Sequence, residues 1–279
     1  MSSLKQRLLT TLLGIPLLLI VIFLLPQFGH LAFAIVAIGF TLLGSKEIYQ
    51  LIEKKFDITP NLPFYLTGLL PLSAWISSIT NINNLVDLCF VFLLILSFAI
   101  EIYDGTKQET PFQNSFLKIS INSFSLLYPG YLLSFIIKLN TFESVSSLYA
   151  LFLLAVFSND IFAYVFGMLF GKNSRGFIKA SPNKSVVGFV GGIISSILIS
   201  IVATLLFKVP ITIIEAGILG LTISFSANIG DLIESVIKRS TSVKDTGSFI
   251  PGRGGALDNL DSLLTSAPVF YLLIEIFIR

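Results

Sequence analysis

Long, unbroken apolar runs separated by short polar connections dominate this chain. They fall near residues 8–25, 31–50, 63–79, 84–101, 117–138, 147–170, 186–207, 211–230 and 262–278. Each is close to the roughly 20 helical residues that cross a hydrocarbon core of about 30 Å. A membrane strand would be about half as long and would alternate apolar with polar positions. The pattern therefore predicts an all-α, polytopic integral membrane protein with about nine transmembrane helices. No soluble domain, linker, low-complexity tract or internal repeat interrupts it. The chain reads as a single membrane domain over 1–279, with helices 1–5 in 1–140 and helices 6–9 in 147–279.

Composition agrees with that pattern. The 279 residues are 54% hydrophobic and 12% charged, include 26 Phe and have a mean hydropathy of +0.89, far from the averages of soluble domains. The single cysteine, Cys89, excludes an internal disulfide and a multi-cysteine metal site. A net charge of +2 gives no indication of a nucleic-acid partner. Where the bases lie is more informative. With the N-terminus inside, all of the 18 Lys and Arg except Lys138, Lys208 and Arg279 fall in connections on one side, the positive-inside signature. The first run, behind Lys5 and Arg7, lacks a small-residue cleavage pattern and reads as a retained helix. The expected location is the cell (inner) membrane. The polar loops 171–185 and 239–257 are then cytoplasmic, so a soluble substrate comes from the cytosol. Gly188 with Gly192, and Ala216 with Gly220, place small residues one helical turn apart, where helices pack closely; they also permit a homodimer.

Chemistry concentrates in 228–261, which carries five acids (Asp231, Glu234, Asp245, Asp258, Asp261) and four bases (Lys238, Arg239, Lys244, Arg253). Charges near hydrocarbon must pair, bind ions or face water. Asp231, Glu234, Ser235 and Lys238 recur at helical spacing and form one polar stripe on an apolar rod. Gly252, Gly254 and Gly255 free a loop to turn N–H groups toward an anion. Asp258 and Asp261, at i,i+3, either cap the following helix or offer oxygen ligands to a hard cation. Upstream, Asp160 lies inside an apolar run and needs a partner, and Ser181 and Lys184 sit in the loop beyond it. GMLFGK at 167–172 is one residue too short for a P-loop and follows no strand. The only histidine, His30, falls in an outer connection, which excludes His-dependent hydrolysis and a histidine-rich zinc site in the cluster. Chemistry there uses a carboxylate base or a nucleophile already ionised, such as a phosphate monoester, with metal and cations gathering the anions.

GDLIESVIKRSTSVKDTGSFIPGRGGALDNLD resembles the C-terminal signature of the phosphatidate cytidylyltransferases, the CDP-diacylglycerol synthases. Ser235, Lys238, Arg239, Lys244, Asp245, Pro251, Gly252, Gly254, Gly255, Asp258 and Asp261 fall in register with it. Asp160 to Tyr164, Gly171-Lys172 and Ser181 to Ser185 with Gly188 resemble a second family region. The likeness covers roughly 155–265, and the earlier helices match only in hydropathy. Arg253 stands where the family has His, Asn259 where it has Arg and Val187 where it has Glu.

The resemblance implies transfer of CMP from CTP to phosphatidic acid, with the lipid phosphate attacking the α-phosphorus and pyrophosphate leaving. It implies Mg²⁺ as cofactor, on Asp231, Asp258 and Asp261, with Asp160 either completing the site or orienting Lys184. Lys238, Arg239, Lys244, Asp245 and Arg253 are the implied catalytic groups. Ser181, Lys184, Ser235, Gly252, Gly254 and Gly255 are implied to bind substrate. Two other readings stay open at this point. One is a family member without catalysis, serving as a lipid-binding or scaffold protein; the other is a transporter, which also carries intramembrane acids.

Overall fold

A computed structural model describes residues 13–107, 112–250 and 252–278. Lys5, Arg7, the start of the first apolar run, Pro251 and Arg279 lie outside the described residues. The protein is all-helical and polytopic. Among the described residues, nine apolar helices follow one another: α1 Leu13–Leu24, α2 Gln27–Phe56, α3 Phe64–Thr80, α4 Leu85–Gly105, α5 Ser115–Thr141, α6 Val145–Phe170, α7 Val186–Phe207, α8 Ile213–Ser240 and α9 Leu257–Ile278. Each coincides with one of the apolar runs. Seven of the nine are long and apolar enough to cross a membrane; the described part of α1 and all of α3 are shorter. The expected class is met, while length and composition of the described residues support seven spans and do not confirm the count of nine. Hydrocarbon offers no partner for backbone N–H and C=O groups, so continuous apolar runs fold as helices that satisfy them internally.

Helix ends fall where the sequence can leave the αR region. α2 stops at Asp57 and α7 at Lys208, both in the left-handed conformation, with their N–H groups returning to Glu53 O and Thr204 O. α2 continues to Phe56, so Lys46, Lys54 and Lys55, expected in a connection, are helical. α5 widens into a π-type turn at Leu126–Tyr131 around Pro129, which has no N–H to donate. The Thr41 hydroxyl donates to the Pro129 carbonyl at 3.1 Å there.

The chain divides into two compact units: Met1–Asn140 with Thr241–Leu260, and Thr141–Ser240 with Asp261–Arg279. In the first, Glu101 is buried on α4 and satisfied by neutral donors, the Asn61 amide and the Ser115 hydroxyl; Asn122 bonds Asn61 at 2.7 Å and Tyr49 bonds Asn122 at 3.0 Å. In the second, α7 packs closely against both α6 and α8. A Cβ on Gly188 would lie 2.6 Å from Ala163 O, on Gly192 2.7 Å from Asn159 Oδ1, and on Gly220 2.7 Å from Ile197 Cα. These small residues serve packing inside the unit. Gly220→Ala is therefore expected to destabilise the protein by about 1–3 kcal/mol through overpacking. Gly217→Ala, with nothing within 4 Å of the added methyl, should be neutral or slightly stabilising. Thermal unfolding in detergent checks both, and equal effects would contradict the packing.

Candidate active site

The second unit gathers the polar stripe of α8 with the first turns of its α9 segment. Gly230 makes this possible: a side chain there would collide with the Asp261 carbonyl and the Thr265 hydroxyl, so α8 and α9 meet backbone to backbone. A reciprocal pair locks that approach, with Thr265 Oγ1 donating to Ser226 O at 2.7 Å and Ser226 Oγ to Thr265 O at 2.6 Å. Just beyond Gly230, Asp231, Glu234 and Asp261 each present an oxygen, and the three oxygens lie within 4.8 Å of one another. Glu234 is buried, while Asp231 and Asp261 are partly open.

Two lysines answer these acids. Lys184 Nζ lies 2.6 Å from Asp231 Oδ2, and Lys238 Nζ 2.5 Å from Glu234 Oε2, one turn along α8. Ser235 Oγ donates to Asp231 Oδ1 at 3.4 Å. Asp160 joins from α6: its Oδ1 accepts from Asn159 Nδ2 at 3.0 Å and from Ser262 Oγ at 3.3 Å, and it feels both Asp231 and Lys184 electrostatically. Behind it, Asn159 Oδ1 accepts from Ser224 Oγ at 2.5 Å and from Asn228 Nδ2 at 3.2 Å. This buried layer fixes the α6 end of the cluster. Counted as ionised, four carboxylates against two ammonium groups leave a formal charge of −2, which one divalent cation would balance. An all-oxygen donor set suits a hard ion.

Ser181 and Arg239 border the same cluster in chain terms. Ser181 closes a turn in the 171–185 loop, its carbonyl accepting from Lys184 N at 3.1 Å, and Arg239 Nε reaches Ala180 O at 3.4 Å. The turn thus sets where Lys184 starts.

The first unit holds the glycine loop. Lys244, Asp245 and Arg253 are exposed on it. Gly252 and Gly254 adopt positive φ, 81° and 90°, and Ile250 N donates to Gly254 O at 2.8 Å, closing a tight hairpin. Asp258 serves this loop: its Oδ2 accepts from Gly255 N at 2.7 Å, Thr246 N at 2.8 Å and Thr246 Oγ1 at 2.9 Å. Asn259 Nδ2 donates to Gly255 O at 2.6 Å. So α9 carries two acids with separate employment, Asp258 on the loop of one unit and Asp261 in the carboxylate group of the other. The third carboxylate beside Asp231 and Asp261 is Glu234. The sequence places it on the polar stripe but gives no reason to prefer it over Asp258 as a ligand.

A polytopic helical membrane protein with a carboxylate and ammonium cluster on its last helices is a class suited to handling phosphates at a membrane. More specifically, the chain belongs to the cytidylyltransferase family, whose sequence profile it matches over residues 5–277. That match takes in the N-terminal helices, beyond the stretch that carries the motifs. The chain is 28% identical to the phosphatidate cytidylyltransferase of Bacillus subtilis over 284 residues, covering 99% of this chain and 100% of that protein. It is 34% identical to that of Staphylococcus saprophyticus over 189 residues, 67% and 70% of the two chains. It is 37% identical to that of Aquifex aeolicus over 161 residues, 57% and 58% of the two.

Proposed function

We propose that this protein transfers the CMP moiety of CTP to phosphatidic acid, forming CDP-diacylglycerol and releasing pyrophosphate. The observation that carries this reading is the group Asp231, Glu234 and Asp261, flanked by Lys184 and Lys238, in a member of the cytidylyltransferase family. A phosphate oxygen of the lipid attacks the α-phosphorus, an α–β phosphoanhydride bond breaks, and pyrophosphate carries away its electron pair. The nucleophile is already an anion, so no general base is required. That suits a chain whose one histidine, His30, falls in an outer position by the positive-inside topology.

Asp231, Glu234 and Asp261 would hold Mg²⁺, with Asp160 beside them. Such an ion, when bound, neutralises triphosphate charge and favours departure of pyrophosphate. Lys184 and Lys238 hold those carboxylates in place and offer N–H donors to phosphate oxygens as charge builds at phosphorus. Arg239, and Lys244, Asp245 and Arg253 on the glycine loop, take the catalytic roles that the family resemblance implies. Ser181, Ser235, Gly252, Gly254 and Gly255 take the implied substrate contacts. The distribution of basic residues supports a working face toward the cytoplasm, with the N-terminus inside. The small residues that permit a homodimer are spent on packing within the chain, so a dimer draws no support from them.

The test is incorporation of radiolabelled CTP into lipid by purified protein in micelles containing phosphatidic acid. Label should enter the lipid with Mg²⁺ and fall to background with a chelator, returning when Mg²⁺ is restored. Absence of incorporation at saturating Mg²⁺ would overturn the activity, and chelator-resistant incorporation the metal.

A further inference from the structure

One face of α2 lies along the glycine loop, all within the first unit. Phe40 meets Phe249 edge to face at 6.3 Å, Gly44 faces Leu257, Glu47 bonds both Thr246 and Ala256 at the two ends of the loop, and Lys55 Nζ bonds Ser242 Oγ at 2.9 Å. Phe40, Gly44 and Glu47 follow the i, i+4, i+7 pattern of a single helix face, and Lys55 lies about two turns further along that face. The loop therefore runs back along α2, and Phe249 meets it two helical turns, about 10 Å, from Glu47.

Glu47 makes the specific contacts. Its Oε1 accepts from Ala256 N at 2.8 Å; its Oε2 accepts from Leu257 N at 2.9 Å and Thr246 Oγ1 at 3.0 Å. The partners lie 199 to 210 residues away in sequence. It is buried, 7% exposed, and it satisfies N–H groups that the first turn of α9 leaves open, where a negative charge is favoured. The Thr246 hydroxyl sits between Glu47 and Asp258 and shares its single proton between them, so the two carboxylates grip the loop from opposite sides. Gly247 and Gly255 are small for the same reason: a Cβ on Gly247 would lie 2.5 Å from Glu47 Oε1, and one on Gly255 would strike the same carboxylate.

We propose that Glu47 is a positioning residue for the reaction: from α2 it fixes the Gly-rich loop in the conformation that presents Lys244, Asp245 and Arg253. This rests on the reading that Lys244 and Arg253 hold the CTP phosphates and that Asp245 is a catalytic group beside them. Glutamine is a sharp probe. Each oxygen of Glu47 faces a donor, so the amide NH₂ must confront a backbone N–H whichever way it is turned.

The experiment uses the full-length protein in detergent and reads two quantities, amide exchange in 246–258 and the kinetic constants for CTP. Glu47→Gln should speed exchange at Ala256 and Leu257 at least tenfold and lower kcat/KM for CTP at least tenfold per folded molecule. Glu47→Asp, which keeps the charge, should recover part of both. Gly247→Ala should impair turnover in the native background but add little to Glu47→Ala, because the collision partner is gone. Unchanged exchange in Glu47→Gln overturns the inference, as does faster exchange with wild-type kcat/KM, and as does full additivity of the Gly247 and Glu47 changes. Failure of the underlying reading looks different: the unmutated protein then transfers no CMP, whatever the exchange at 256 and 257.

Discussion

Asp231→Asn and Asp261→Asn are each expected to cut CMP transfer at least about 100-fold while leaving the protein inserted and folded. The reasoning starts from electrostatics. Three carboxylate oxygens within 4.8 Å of one another repel, and two lysines offset only part of that repulsion. Removing one charge with an isosteric amide relieves repulsion in the metal-free protein, so thermal stability should hold or rise slightly in Asp261→Asn, whereas Asp231→Asn also takes from Lys184 its partner 2.6 Å away and should lose that gain. The same change removes a negatively charged ligand from an oxygen site for a hard cation, so the Mg²⁺ concentration for half-maximal rate should rise. In Asp261→Asn function and stability thus move in opposite directions, which a residue needed only for folding would not produce. Glu234→Gln should behave likewise in its Mg²⁺ demand, but it also strips Lys238 of the partner 2.5 Å away and should lower stability. Turnover, Mg²⁺ titration and melting of the three variants measure this. Wild-type turnover in Asp261→Asn, at unchanged Mg²⁺ demand, would refute the assignment.

How much of this was legible in sequence depends on how local each cause is. The helices were legible because hydrocarbon leaves an apolar run little choice but to satisfy its own backbone. Their lengths were less so, since the end of α2 at Phe56 depends on a left-handed residue at Asp57 rather than on where hydropathy fades. Asp160 stood out as an acid inside an apolar run and Asp231 as the first residue of a polar stripe just beyond one, and the spacing of the signature carried Lys238, Asp258 and Asp261. Spacing alone does not separate Asp258 from Asp261. Both follow from an i,i+3 placement, and what divides them is the fold of the loop, whose Gly255 and Thr246 donors close on Asp258. Glu234 was visible on the stripe, but its membership of the carboxylate group needs the approach of α8 and α9 that Gly230 allows. Glu47 gave no local signal, since its partners lie two hundred residues on and only tertiary packing brings them together. Of the residues that depart from the family pattern, Arg253 sits on the glycine loop and Asn259 in the first turn of α9, where its amide closes the loop by donating to Gly255 O.

Lys184→Met is expected to lower kcat/KM for CTP by about 10- to 150-fold, the loss that follows from a charge-assisted hydrogen bond worth about 1.5–3 kcal/mol. The sign of its effect on metal demand is the more telling result. Lys184 Nζ lies 2.6 Å from Asp231 Oδ2, on an oxygen that a cation would also use. Taking the ammonium away leaves the carboxylates with a larger net negative charge, so they attract a dication more strongly. The Mg²⁺ concentration for half-maximal rate should therefore fall, opposite to Asp231→Asn. Lys184→Arg keeps the charge at a different reach and should recover part of the rate with a Mg²⁺ demand near the original. Lys172→Met, an exposed base in the same loop, controls for general loss of positive charge and should change neither quantity by more than about twofold, because screened surface charges contribute little. If Lys184→Met and Asp231→Asn shift the Mg²⁺ demand in the same direction, Lys184 and the cation do not share Asp231, and the charge balance drawn for this cluster is wrong.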